Sequence, residues 1–122
     1  MSLRVLVAPR FERAIATMEQ HYLAQREVHP DAGIRLERFV SALLDSIAPM
    51  LTAQPALGRR YLPRRGELSA LIAVLARLQV VSRGQPFEIR RWGHEDFELL
   101  YAHSKTLLVF VSARNQRQQA FF

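Results

Sequence analysis

The chain of 122 residues contains no cysteine. That absence excludes disulfide bonds, catalysis by a thiolate and zinc held by cysteines. No apolar run approaches the roughly 18–20 residues that a membrane-spanning helix needs. The first ten residues carry two arginines and lack the pattern of a secretory signal peptide. We therefore expect a cytoplasmic protein that does not enter a membrane.

Lysine is almost absent as well. Lys105 is the only lysine among 17 basic residues, and the formal net charge is +6. Arginine carries a planar fork of donors that suits phosphates and carboxylates. The composition therefore predicts an anionic partner, either nucleic acid or an acidic protein segment. A solubilising surface in a chain that prefers arginine to lysine is the alternative interpretation.

The sequence also lacks the common motifs of enzymes. It has no HExxH pattern, no glycine-rich phosphate loop and no GxSxG nucleophile elbow. The histidines are not spaced to hold a metal, and most acidic residues fall on predicted helix surfaces or in one turn. We expect no metal and no cofactor.

What the sequence does contain is the pattern of one small α+β domain over residues 1–122. Nearly half of the residues, 49%, are hydrophobic, which is enough for one core. Hydrophobic periodicity and turn signals order the elements as one strand, three helices and three strands. The predicted strands are 3–8, 87–92, 97–102 and 106–114, and the predicted helices are 10–26, 34–51 and 67–78.

The first two predicted helices are amphipathic and are separated by a short break, which favours a helical hairpin. Pro49 is expected to kink or end the second helix near its last turn. The third helix is apolar on more than one side. Core packing is the favoured explanation, and an exposed surface for a partner or for a homodimer is the alternative.

The last strand is apolar at every position from 107 to 111, which predicts an interior strand with both faces covered. If the final strands form a meander, we expect Arg90 and Arg114 to share one face of the sheet. Such a pair can grip a phosphate backbone or an acidic peptide, with Trp92 or Tyr101 stacking nearby. The alternative is that these arginines are solvent-facing strand positions whose stems cover apolar surface.

The most specific pattern lies at the C-terminus. Residues 97–101 (Phe-Glu-Leu-Leu-Tyr) precede an apolar strand at 107–111, and then come residues 115–118 (Asn-Gln-Arg-Gln) and Phe121. This resembles the ending of ParE-like members of the RelE/ParE family of bacterial toxins. In that family the basic stretch is commonly His-His-Arg-Gln, with an aromatic residue soon after.

Two shorter segments add to this resemblance. Residues 89–92 (Ile-Arg-Arg-Trp) are similar to the family's preceding strand, often Ile-Arg-Glu-Tyr. Residues 55–59 (Pro-Ala-Leu-Gly-Arg) are similar to its Pro-x-x-Gly-Arg turn after the helical hairpin. The family's strand, hairpin and three-strand order also matches the order predicted above, whereas residues 61–86 are the part least covered.

The resemblance implies a toxin of a type II toxin–antitoxin pair, the kind that stabilises plasmids. A small antitoxin neutralises such a toxin by wrapping its flexible tail around the helices and sheet. ParE-like members inhibit DNA gyrase, and RelE-like members cut messenger RNA, usually on the ribosome. A homodimer and a toxin–antitoxin heterotetramer are both open as assemblies.

The residues favour the gyrase inhibitor over the ribonuclease. Asn115 stands where related sequences often have histidine, and asparagine cannot transfer protons. A metal-free endoribonuclease, with Arg90, Arg114, Arg117 and Tyr101 as its site and His103 as another proton donor, is the first alternative. A non-toxic binding module is the second. The residues expected to bind the target or the antitoxin are Arg59, Arg90, Arg91, Trp92, Arg114, Asn115, Arg117 and Gln118.

Overall fold

A computed structural model describes residues 3–117 and 121–122 of the chain. It confirms the α+β fold class predicted from the sequence. The strands are β1 (Arg4–Val7), β2 (Arg59–Arg60), β3 (Glu88–His94), β4 (Phe97–His103) and β5 (Leu107–Asn115). The α-helices are α1 (Pro9–Ala24), α2 (Asp31–Ala42), α3 (Ala48–Ala53) and α4 (Leu68–Val81).

Helix α1 begins at a proline because the first helical position does not need a backbone N–H and suits the fixed φ of proline. Its apolar stripe places Phe11 and Met18 in the core. The predicted boundary at residues 10–26 is close to the observed helix.

The second predicted helix is one helical run interrupted by a π-helical turn, Leu43–Ile47, between α2 and α3. In that turn the N–H of Ala48 donates to the carbonyl of Leu43. The wider turn comes directly before Pro49, which has no N–H to donate and crowds the preceding carbonyls. The irregularity expected at Pro49 is therefore located in the turn that precedes it.

The five-stranded sheet has the order β1-β5-β4-β3-β2. Strand β1 pairs parallel to β5, whereas β5, β4, β3 and β2 pair antiparallel in succession. Strand β5 is therefore interior and its side chains from Leu107 to Arg114 are buried, which confirms the prediction from its apolar run. The two-residue edge strand β2 was not predicted, because two arginines carry no strand periodicity.

Helices cover both faces of the sheet. On one face α1, α2, the π turn and α3 enclose a core that includes Phe39, Phe97 and Tyr101. On the other face α4 packs through Leu78 onto a second apolar cluster that includes Val109. The third predicted helix therefore does pack on the core.

Helix α4 runs three residues beyond its predicted end at residue 78 and stops at a left-handed turn. Arg83 and Gly84 have φ values of 59° and 85°, and the N–H of Gly84 donates to the carbonyl of Gln79. Among residues 3–117 and 121–122, no helix is long and apolar enough to span a bilayer.

A β-bulge in β5 decides which face its last residues occupy. Tyr101 of β4 pairs with Phe110, but its neighbour Leu100 pairs with Ser112, so one extra residue stands in β5. An extra residue turns every later side chain to the opposite face of the sheet. Arg114 consequently pairs with Glu98 and lies on the α4 face.

Candidate functional site

The antiparallel pairing of β2 with β3 brings four arginines together at one edge of the sheet. Arg59 lies opposite Arg91, and Arg60 lies opposite Arg90. The chain reaches this edge through a short 3-10 turn, Pro55–Leu57, that follows α3. This turn and the edge strand are the parts of the chain that resemble the Pro-x-x-Gly-Arg segment.

Tyr101 fixes that turn to the sheet. Its side chain is fully buried, and its hydroxyl donates to the carbonyl of Pro55 (2.7 Å) and accepts from the N–H of Gly58 (2.9 Å). Burial raises the pKa of the Tyr101 hydroxyl. A buried phenol with both hydrogen bonds made inside the protein cannot exchange a proton with a substrate.

Arg90 supports the same turn from the neighbouring strand. Its Nη1 donates to the carbonyls of Gly58 (2.8 Å) and Ala56 (3.4 Å). Its Nη2 donates to Glu88 (3.0 Å), two residues earlier on the same face of β3. Only 16% of the Arg90 side chain is exposed, so its guanidinium acts in holding this turn and Glu88 in place.

His103 completes this group. Its Nε2 accepts from Nε of Arg90 (3.2 Å) and lies 3.3 Å from a carboxylate oxygen of Glu88. Burial lowers the pKa of His103, and the hydrogen bond from Arg90 lowers the pKa of Glu88. Glu88, Arg90 and His103 thus form a partly exposed cluster of ionisable side chains along β3 and β4.

Arg114 lies elsewhere, and the expectation that Arg90 and Arg114 share a face is wrong. Arg90 pairs with Tyr101 on the helical-hairpin side, whereas the bulge in β5 turns Arg114 to the α4 side. Arg114 is 5% exposed, contacts Glu98 (3.4 Å) and stacks over the ring of Phe121 at 4.1 Å. Its charge acts within the fold, not on a ligand.

A shallow groove of about 370 Å³, which we call the basic groove, lies at this edge of the sheet. Its walls are Leu57, Gly58, Arg59, Arg91, Trp92, Gly93, Glu98 and Gln116. Arg59 is exposed, and Arg91 is 39% exposed with its guanidinium 3.8 Å from Glu98. Three of the predicted binding residues, Arg59, Arg91 and Trp92, therefore meet at one place.

A second cavity of about 640 Å³ lies between the helical hairpin and the end of β5. Its walls are Thr17, Met18, His21, Tyr22, Gln25, His29, Ala32, Arg35, Asp96, Asn115, Gln116 and Arg117. Asn115 donates to the hydroxyl of Tyr22 (3.0 Å) and accepts from the N–H of Arg117 (3.0 Å). Gln116 borders both cavities, whereas Asn115 and Arg117 line this second cavity and not the basic groove, and Gln118 lies outside the described residues.

The sequence interpretation missed the carboxylates that organise these arginines. Glu88 neutralises Arg90, and Glu98 lies between Arg91 and Arg114. The spacing of Glu88 and Arg90 is a usable signal, since residues two apart in a strand share a face. The pairing of Glu98 with two arginines depends on the bulge and has no signal in the sequence.

The arrangement suits binding better than proton transfer. Tyr101 and Arg114 are buried on opposite faces, whereas Arg59 and Arg91 reach solvent at the groove, and Trp92 lines the groove while packing partly on the hairpin-side core. Within residues 3–117 and 121–122, no group of three or more His, Asp or Glu side chains is placed to hold a metal ion. A scan against models of known protein families finds no match. A search of curated proteins also finds none.

Proposed function

We propose that this chain is the toxin of a type II toxin–antitoxin pair, of the ParE-like kind within the RelE/ParE family. It acts in the cytoplasm by binding and inhibiting DNA gyrase, and a cognate antitoxin neutralises it. The proposal rests on the sequence resemblance described above. Binding is favoured over catalysis by one observation. The candidate catalytic residues Tyr101 and Arg114 are buried, whereas the basic groove is open to solvent.

The fold supports the family part of the proposal. A helical hairpin follows the first strand, and three antiparallel strands end the chain, with β1 returning parallel to β5. This is the order of elements that the resemblance implies. Helix α4 is an addition between the hairpin and the final strands.

The side chains support the binding part of the proposal. A metal-free ribonuclease needs a base, an acid and a cation that reach the same phosphate. Tyr101 is fully buried and Arg114 is 5% exposed on the opposite face from Arg90. Arg59 and Arg91, which pair across β2 and β3, are instead open to a partner at the basic groove, and Trp92 lines the groove beside them. Arginine and tryptophan commonly contribute much of the binding energy of an interface.

A ribonuclease is the second candidate because of the cluster at Glu88, Arg90 and His103. The neutral imidazole of His103, whose pKa burial lowers, is a usable general base, and 43% of the neighbouring Glu88 side chain is exposed. In this reading Arg90 would hold the phosphate. Its guanidinium is already bound to two backbone carbonyls and Glu88, which is why the cluster ranks second.

Induced expression in bacteria separates the two candidates. DNA and protein synthesis are pulse-labelled during the first minutes after induction of the wild-type chain. We expect DNA synthesis to fall first, because gyrase inhibition stops replication before translation. The variant Arg59→Ala/Arg91→Ala should lose this effect, whereas Arg13→Ala/Arg38→Ala, which removes two exposed arginines of the helical hairpin, should keep it.

An early fall in protein synthesis with cleaved messenger RNA would overturn the gyrase proposal in favour of the ribonuclease. His103→Ala should then abolish cleavage. Undisturbed growth at full expression would contradict both toxic activities and leave the non-toxic binding module. Thermal melting of each purified variant confirms that a lost effect does not reflect unfolding.

A further inference from the structure

Helix α4 has two apolar faces, and the protein covers only one of them. The covered face carries Leu71, Val74 and Leu78, spaced by three and four residues. Leu71 and Leu78 are buried, and Leu78 packs on the sheet cluster around Val109. These contacts account for the attachment of α4 to the sheet and leave its other side open.

The open face carries a ridge of apolar side chains spaced by four residues, which we call the α4 ridge: Leu68, Ile72, Ala76 and Val80. Leu68, Ile72 and Val80 are 55%, 56% and 80% exposed. Residues four apart lie on one side of a helix, so these side chains form a continuous row. A row of this kind is the surface that interdigitates with the groove of another helix.

Unneutralised positive charge surrounds the ridge. Arg64 and Arg65 precede α4, Arg77 lies on it and Arg83 follows it, and all four are exposed. None of these four arginines forms an ion pair with a carboxylate of residues 3–117.

The single acidic residue of the segment from 61 to 87 does not offset this charge at the surface. That residue, Glu67, is buried and accepts hydrogen bonds from Tyr61 and the N–H of Phe121. Every exposed charged side chain from residue 61 to residue 87 is thus a cation.

We propose that the α4 ridge is the docking surface for an acidic amphipathic helix supplied by another protein. The apolar row provides the contact, and the bordering arginines select a partner whose flanking residues are Asp and Glu. At 1.5 Å per residue, the 14 residues of α4 offer a track of about 21 Å, or nearly four turns. The inference is independent of the proposed function because it uses residues of α4 and its ends, which lie outside the basic groove.

A second copy of this chain fits the ridge less well than an acidic helix does. A dimer through α4 would bring two sets of unneutralised arginines together, and each copy has a net charge of +6. Like charges placed opposite one another disfavour an interface. The charge pattern therefore selects an acidic partner over self-association.

A synthetic helix tests the proposal directly. The probe is a fluorescent peptide of about 18 residues, long enough to match α4, with leucines at i, i+3, i+4 and i+7 spacing and glutamates elsewhere. Its control is a peptide of the same composition in scrambled order. We expect saturable binding of the amphipathic peptide by fluorescence anisotropy, a gain in peptide helicity on binding, and weaker binding as salt is added.

Variants locate the binding on the ridge. Ile72→Ser/Val80→Ser should weaken binding at least about tenfold, because two apolar contacts are lost. The matched control Leu23→Ser/Leu44→Ser removes two exposed apolar residues of the helical hairpin, 64% and 71% exposed, and should leave affinity within about twofold. Both variants should fold normally, since all four side chains are exposed.

Three results would overturn the proposal. The first is no binding of the amphipathic peptide to the wild-type chain. The second is that the scrambled peptide binds as tightly as the amphipathic one, or that the Ile72→Ser/Val80→Ser variant binds as tightly as the wild type. Either result would show that net charge alone explains the binding. The third is a wild-type dimer in sedimentation that the same variant converts to a monomer, which would assign the ridge to a second copy.

Discussion

At the scale of single residues, the contact between Gly58 and Tyr101 shows how the turn before β2 is held. A Cβ atom at position 58 would lie 2.5 Å from the Tyr101 hydroxyl and 2.6 Å from the carbonyl oxygen of Arg91. The backbone of Gly58 is extended, with a φ of −71° that any residue adopts. Glycine is therefore required here for space and not for its conformational freedom.

The Tyr101 hydroxyl should contribute measurably to stability. Tyr101→Phe leaves the buried N–H of Gly58 without its acceptor, so we expect a loss of about 1–3 kcal/mol in the free energy of unfolding. Urea denaturation measures this. Tyr22→Phe is the matched control, because that hydroxyl lies at the partly exposed second cavity, and a smaller loss is expected.

A loss below about 0.5 kcal/mol for Tyr101→Phe would be typical of a surface substitution. It would mean that the Tyr101 hydroxyl does not form its hydrogen bonds with Pro55 and Gly58. The hydroxyl would then be available for other roles, including the proton transfer that the ribonuclease alternative requires.

At the scale of elements, Glu67 joins the start of α4 to the end of the chain. Its carboxylate accepts hydrogen bonds from the Tyr61 hydroxyl, the N–H of Arg64 and the N–H of Phe121. The ring of Phe121 lies against Arg114 of β5. One buried carboxylate thus links the start of α4 directly to Phe121, 54 positions later in the sequence, and through Phe121 to β5.

Two pKa shifts follow from this contact. Burial raises the pKa of Glu67, but the three hydrogen bonds that it accepts outweigh burial and hold its pKa below the ordinary value of 4.5. Burial and the bond to Glu67 raise the pKa of Tyr61 to about 12. The carboxylate is therefore ionised and the phenol protonated across the neutral range.

The lowered pKa of Glu67 predicts a pH-dependent contribution to stability. A carboxyl whose folded pKa lies below its unfolded pKa stabilises the fold above the unfolded value, and this contribution is lost as pH falls below 4.5. The difference in unfolding free energy between wild type and Glu67→Gln should be largest at neutral pH and shrink on acidification. Denaturant titrations from about pH 7 to about pH 3 measure it.

Glu12→Gln is the control for this series, since Glu12 is exposed on α1, and its difference from wild type should stay small throughout. A Glu67→Gln difference that stays constant or widens at low pH would contradict the assignment. The carboxyl would then not be held ionised by Tyr61 and Phe121.

The elements were predictable where periodicity or composition decides them. The apolar spacing located α1 and α4 within a few residues, and the apolar run identified β5 as an interior strand. What escaped prediction depends on tertiary structure. Strand β2 exists only because Arg59 and Arg60 pair with β3, and the bulge beside Val111 turned Arg114 away from Arg90.

At the scale of the whole molecule, the arginines that give the chain its net charge of +6 have different roles. Arg90 forms an ion pair with Glu88 and donates to the carbonyl of Gly58, and Arg114 forms an ion pair with Glu98. Exposed arginines lie at the basic groove, around the α4 ridge and also on the helical hairpin, where Arg13 and Arg38 are exposed. A strongly basic sequence predicted an anionic partner, but only the structure distinguishes arginines that hold the fold from those available to a partner.

The two surfaces divide the proposed functions between different parts of the fold. The basic groove, with Arg59, Arg91 and Trp92, belongs to the gyrase proposal, and the α4 ridge belongs to the helix-docking proposal. Substitutions at one should leave the other intact, because sites that share no contacts behave independently.

The most direct test of the central claim is a supercoiling assay with purified DNA gyrase and relaxed plasmid. We expect the wild-type chain to inhibit supercoiling, Arg59→Ala/Arg91→Ala to have no effect, and Arg13→Ala/Arg38→Ala to inhibit as the wild type does. Added RNA should remain intact in the same reactions. Full gyrase activity in the presence of excess folded wild-type chain would contradict the proposed inhibition of gyrase.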